Sequence, residues 1–151
     1  MKRAATSNSE PRPAVLSEDA CPTCGTAMQA MTTELPFVVN GEKVVVPEVS
    51  HLACPSCGEV VLRYDESKTL QERAVEMYRH SHALLSADEI RALRQRLHLT
   101  QAQLAALLQL GPNTVSRWEA GRNAQNGAMD VLLKIVRDVP GTLDYLKMHA
   151  A

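Results

Sequence analysis

All four cysteines of this 151-residue chain stand in two copies of one frame, "CPTCG" at 21–25 and "CPSCG" at 54–58. Cysteine pairs at this spacing can form a disulfide, run redox chemistry or hold a metal. In each frame Pro fixes one turn and Gly25 or Gly58 permits the positive φ needed next, so each folds as a tight knuckle. Two knuckles supply four sulfurs, a closed tetrahedral shell for one structural Zn²⁺ from Cys21, Cys24, Cys54 and Cys57, with no open position for catalysis. The rival is a redox dithiol, which requires a βαβ setting that the intervening 29 residues do not offer. His51, three residues before Cys54, is a conceivable substitute ligand, but its expected place is the surface of a strand. Met28 and Met31 are expected to pack within the hairpin rather than to offer thioethers.

A second set of residues lies in "LTQAQLAALLQLGPNTVSRWEAGR" at 99–122. The spacing is that of a helix-turn-helix: a capped helix, a short turn, a second helix and a Gly stop. Leu104, Ala105 and Leu108 face inward from the first helix, and Val115 and Trp118 from the second. Pro112, Asn113, Ser116 and Arg117 are left facing outward, with Pro112 at a first-turn position. Asn113 and Arg117 are four apart and share a helical face. Asn can hold adenine N6 and N7, and Arg guanine O6 and N7, through the major groove. These two are the expected base readers. Gln101 and Thr100 at the start of the first helix, with Pro112 and Ser116, are expected to contact the DNA backbone or support the readers.

The surrounding elements must bring these residues together. From 28 to 62 apolar residues alternate or cluster in short β-branched runs, and "NGE" at 40–42 between "FVV" and "KVVV" predicts a hairpin. "EVVLR" reads as a short closing strand. From 64 onward the period becomes helical, with Leu70, Ala74, Met77 and His80 or Ser81 along one side of a connecting helix. Ser86 with Glu89 forms a capping box, Thr100 caps the next helix, and five short helices follow in all. The fold class is therefore α+β: a zinc-bound β module at 21–62, a connecting helix and linker at 63–85, and a five-helix domain at 86–151. The polar, Pro-containing residues 1–20 are expected to be a disordered tail.

Composition narrows the function. A module of about 42 residues is too small to hold itself by hydrophobic burial alone, which favours a structural metal. Residues 1–82 carry 8 basic and 11 acidic side chains, and residues 83–151 carry 8 and 6, so the second half is the better match for phosphate. No signal peptide and no run approaching 18 apolar residues is present, so a cytoplasmic chain with reduced thiols is expected. A closed four-thiolate shell and the lack of clustered Ser/His/Asp or paired carboxylates speak against an enzyme.

The helical half resembles the XRE/Cro-like helix-turn-helix domain. The order "CPTCG", hairpin, "CPSCGE", connecting helix, then "LTQ" and "NTVSRWE" is similar to the MqsA-type antitoxins with their YgiT-type zinc finger, over about 21–149. The resemblance implies structural zinc on the four cysteines and base reading by Asn113 and Arg117. It also implies a homodimer on a palindromic operator and a partner toxin, an mRNA-cleaving ribonuclease bound by the zinc half. A zinc-containing regulator that senses metal or redox state without a toxin is the alternative. The family often has Gly in the helix-turn-helix turn where this chain has Gln109, which implies either left-handed strain of roughly 1–2 kcal/mol there or a different turn.

Overall fold

A computed structural model describes residues 19–150; the tail expected at 1–20 lies almost wholly outside them. Three strands come first: β1 (Gln29–Val39), β2 (Glu42–Ala53) and β3 (Val60–Val61). Six helices follow: α1 (Tyr64–Ser81), α2 (Ala87–Arg96), α3 (Gln101–Leu107), α4 (Thr114–Glu119), α5 (Gly127–Asp138) and α6 (Thr142–His149). The layout is α+β, as the sequence predicts.

The sheet is antiparallel in the order β1-β2-β3, so β2 is central. Its hairpin closes through Asn40 and Gly41, both at positive φ (48° and 83°), the two-residue turn whose twist matches the strands. Halfway along, the register shifts: Thr33 pairs with Val49 but Leu35 with Val46. Pro47 and Glu48 thus oppose Glu34 in a bulge, where a Pro without an N–H is tolerated. The bulge switches the inward parity of β2. Val44 and Val46 point inward before it, Val49 and His51 after it. Arg73 of α1 covers the irregularity, donating to the Pro47 and Glu48 carbonyls at 2.6 and 3.2 Å.

This parity corrects one expectation. His51 is buried, not on the strand surface, and its Nδ1 donates to the Val49 carbonyl at 2.9 Å. Met31, across the ladder from it, is the reverse case. It lies on the edge strand and is exposed rather than packed.

α1 lies against the sheet and joins the two halves. Its buried residues are Leu70, Ala74, Val75 and Arg79, whereas Met77, His80 and Ser81 are exposed. The expected stripe is therefore rotated. The helix has two neighbours, the hairpin and the loop after α4, and its buried arc widens toward Val75 and Arg79 to meet both. Val39, Val46, Val49, Leu70, Ala74, Val75 and Ala124 make one core.

A second core gathers the helical half: Leu85, Ile90, Leu93, Leu104, Ala105, Leu108, Val115, Trp118, Leu133 and Val136. All five residues expected to face inward from the helix-turn-helix are in it. The caps also form as read. Ser86 Oγ accepts from Glu89 N, Thr100 Oγ1 from Gln103 N, and both partner side chains accept from the cap N–H in return. Gln109 has φ 56°, the left-handed conformation, the first of the two alternatives for that turn. Among the described residues, no helix is long and apolar enough to cross a membrane.

Candidate metal centre and nucleic-acid interface

The two cysteine frames fold as near copies. In the first, Gly25 N donates to the Cys21 carbonyl at 2.8 Å and Cys21 N to that of Thr26. In the second, Gly58 N donates to the Cys54 carbonyl at 3.0 Å and Cys54 N to that of Glu59. Gly25 and Gly58 sit at φ 74° and 76°, where a side chain would be strained. One knuckle precedes β1 and the other follows β2, so pairing of the strands brings them face to face.

The four sulfurs lie within 4.8 Å of one another. Cys21 Sγ is 3.6 Å from Cys57 Sγ, and Cys24 Sγ is 3.4 Å from Cys54 Sγ. A tetrahedron with metal–sulfur bonds of about 2.3 Å has edges of about 3.8 Å, so the thiols need only spread slightly to take a metal. They are too far apart to be disulfides. Cys24 is held down to about 6 by the Thr26 hydroxyl and then by the Thr26 backbone. Cys57 is pushed up to about 12; its hydrogen bond with the Glu59 backbone opposes the rise, which the adjacent Cys21 and burial cause. Such a group sheds its first proton easily and its last only with a cation to share the charge. The donors fit a structural metal held by all four. His51 stands outside the cluster.

The second site is the surface of α4. Asn113 is its N-cap residue and makes no side-chain capping bond, so its amide is free. Arg117 N donates to the Asn113 carbonyl at 3.1 Å, which sets the two one turn apart, and both are exposed. Pro112 stands before the N-cap Asn113, in the turn rather than the expected first helical turn, because Thr114 N closes that turn on the Gly111 carbonyl. The supporting residues are already engaged within the chain. Ser116 Oγ donates to the Asn113 carbonyl at 2.9 Å, Thr100 Oγ1 caps α3, and Gln101 Nε2 donates to Glu119 Oε2 at 2.8 Å.

Glu119 was missed by the motif reading. It lies four residues after Val115, on the inward stripe of α4, and a carboxylate there requires a cation. Arg94 supplies it through a fork: Nε to Oε1 at 2.6 Å and Nη2 to Oε2 at 2.9 Å. Burial would raise the Glu119 carboxyl. The hydrogen bonds from Arg94 and Gln101, with the charges of Arg94 and Arg91, outweigh it and hold the carboxyl below its ordinary 4.5. The fork ties α2, and the Gln101 bond ties α3, to the end of α4, so the outward residues are carried on a braced helix.

Comparison with known proteins identifies the family of the chain. The family model described as the antitoxin component of a bacterial toxin-antitoxin system, MqsA, matches residues 19–147. The antitoxin MqsA of Escherichia coli (strain K12) is 26% identical over 129 residues, 84% of this chain and 98% of that protein. The antitoxin HigA-2 of Vibrio cholerae serotype O1 is 36% identical over 62 residues, 41% of this chain; the match spans 60% of that protein's length.

Proposed function

Since the chain belongs to the MqsA antitoxin family, we propose that it neutralises a ribonuclease-type toxin and represses its own operon. In this reading residues 21–62 form the zinc module that engages the toxin. Residues 86–151 form the DNA-binding and dimerising domain, and 63–85 connect them. One observation carries the reading: a four-thiol cluster without an open catalytic position shares the chain with a braced helix whose Asn113 and Arg117 stand free.

Each part has a physical basis. Zinc is the metal that four thiolates in a tetrahedral shell suit best among common cellular ions. The outer face of the hairpin exposes Val38 and Val45, an apolar surface on a small sheet with an open edge strand. Residues 21–82 carry 5 basic and 8 acidic side chains, a balance that speeds encounter with a basic toxin. On α5, Val131 and Ile135 are four apart and both exposed, and the exposed Val139 follows directly after the helix, an apolar surface suited to a second copy of the chain. A dimer would place two α4 helices on the half-sites of a palindrome.

Expression of the neighbouring gene with and without this chain tests the reading. Growth arrest by the neighbour, relieved by the chain, is the expected result. A neighbour that is harmless alone would overturn the antitoxin role and leave a stand-alone regulator.

A further inference from the structure

The loop between α4 and α5 is held from outside its own half of the molecule. Four successive backbone carbonyls, those of residues 122 to 125, each accept a hydrogen bond from a side chain of residues 40 to 79. Gln71 Nε2 donates to the Arg122 carbonyl at 2.7 Å. Arg79 Nη2 donates to that of Asn123 at 3.2 Å and also to that of Trp118, inside α4, at 3.0 Å. Asn40 Nδ2 lies 3.4 Å from both the Ala124 and Gln125 carbonyls. Carbonyls beside a core need donors, and the helical half does not provide these.

The three donors come from two elements with fixed geometry. Asn40 is the left-handed residue of the hairpin turn, and Gln71 and Arg79 lie about two turns apart on α1. Arg79 is 1% exposed, and its Nε also donates to Gln125 Oε1 at 3.2 Å. The route to the candidate base readers is short. Arg122 N donates to the Arg117 carbonyl at 2.9 Å, closing the C-terminal turn of α4 around Gly121 at φ 68°. Two hydrogen bonds therefore lead from Gln71 to Arg117.

We propose that Asn40, Gln71 and Arg79 are positioning residues for DNA reading: through this loop the hairpin half sets how α4 presents Asn113 and Arg117. The proposal rests on the DNA-binding reading above. The halves on this account are not independent modules, and sequence discrimination by α4 depends on residues that never touch DNA.

The test uses the full chain in two variants. Asn40→Gly with Gln71→Ala keeps the positive-φ turn and the helix while removing three of the contacts. Arg79→Met removes the buried donor at similar length, with Arg79→Lys as the conservative control. A duplex enriched from a random pool by the wild-type chain serves as the specific probe, and a scrambled duplex as the nonspecific one. Only the folded fraction is compared, so that lost stability alone moves neither affinity. Both variants should lower the specific-to-nonspecific ratio, on the order of two- to thirtyfold, with Arg79→Lys recovering part of it. Hydrogen exchange at Ala120, Gly121 and Arg122 without DNA should quicken in step. An unchanged ratio in a selectively binding wild type overturns the proposal, and so does unchanged protection of those three amides. Failure of the wild type to enrich any sequence overturns the DNA reading instead, and the exchange result then still decides whether the loop is held.

Discussion

Asn113 and Arg117 are the residues on which the DNA reading turns, and their surroundings make them separable from stability. Neither is buried, so Asn113→Ala or Arg117→Ala should leave the melting temperature nearly unchanged. Each should lose about 1–3 kcal/mol per half-site and relax preference at one base pair. Titration against single-base operator variants checks this; retained preference in both mutants would move the reading face elsewhere. Gln101 behaves differently, because its amide is bonded to Glu119. Glu119 itself is a stability residue. Glu119→Ala strands Arg94 beside the core and should cost about 3–5 kcal/mol. It also shapes the pH response. Its folded carboxyl is held below 4.5, and that of Asp130 is held below 3.8 by Lys134, the Leu85 N–H and Gln125 against the effect of burial. A depressed carboxyl stabilises the fold at pH above its unfolded value and loses that contribution as pH falls through the folded one. Stability should therefore be level above about pH 5 and fall progressively below. Urea unfolding at a series of pH values should show a shallower acid slope for Glu119→Gln; an identical slope would remove this carboxylate from the account.

The knuckles and the hairpin depend on each other at the scale of elements. The strands bring the sulfurs within 4.8 Å, and metal binding would return that favour by tying the open end of the hairpin. Structural zinc in small domains contributes roughly 10–16 kcal/mol of apparent binding energy. A purified chain should hold one Zn²⁺, and chelation should remove strand signal from circular dichroism, restored when Zn²⁺ is added back. Cys24→Ser should do the same without chelator. A metal-free, reduced protein with an unaltered melt would show that the hydrophobic contacts of α1 suffice. The bulge at Pro47 and Glu48 is the other decisive element. Its signature was present in "VVVPEV", a Pro within a strand run, but its consequence, the burial of His51, needed the register.

For the whole molecule, the question is whether two halves with two cores act as one body. Residues 83–151 contain the complete second core yet lack the donors Asn40, Gln71 and Arg79. That fragment should fold, but about 1–3 kcal/mol less stably than the same helices within the full chain, the worth of a few net hydrogen bonds. Differential scanning calorimetry of both proteins measures it, and equal transitions would mean that the halves are independent. The local features were legible in the sequence because each rests on near neighbours. Cys pairs three apart make knuckles, Asn40-Gly41 makes a turn, Ser86 and Thr100 cap helices, and the apolar period places Trp118 in a core. At Gln109 the resemblance left two alternatives, and the structure decides for the left-handed backbone. What sequence could not supply were partnerships across tens of residues: Arg94 with Glu119, Arg79 with the loop at 122–125, and the rotation of the α1 stripe away from Met77. A charged residue at a helical position reads as solvent-facing until a second element covers it. Whether burial is tolerated then depends on donors and acceptors that only the packed chain brings within reach.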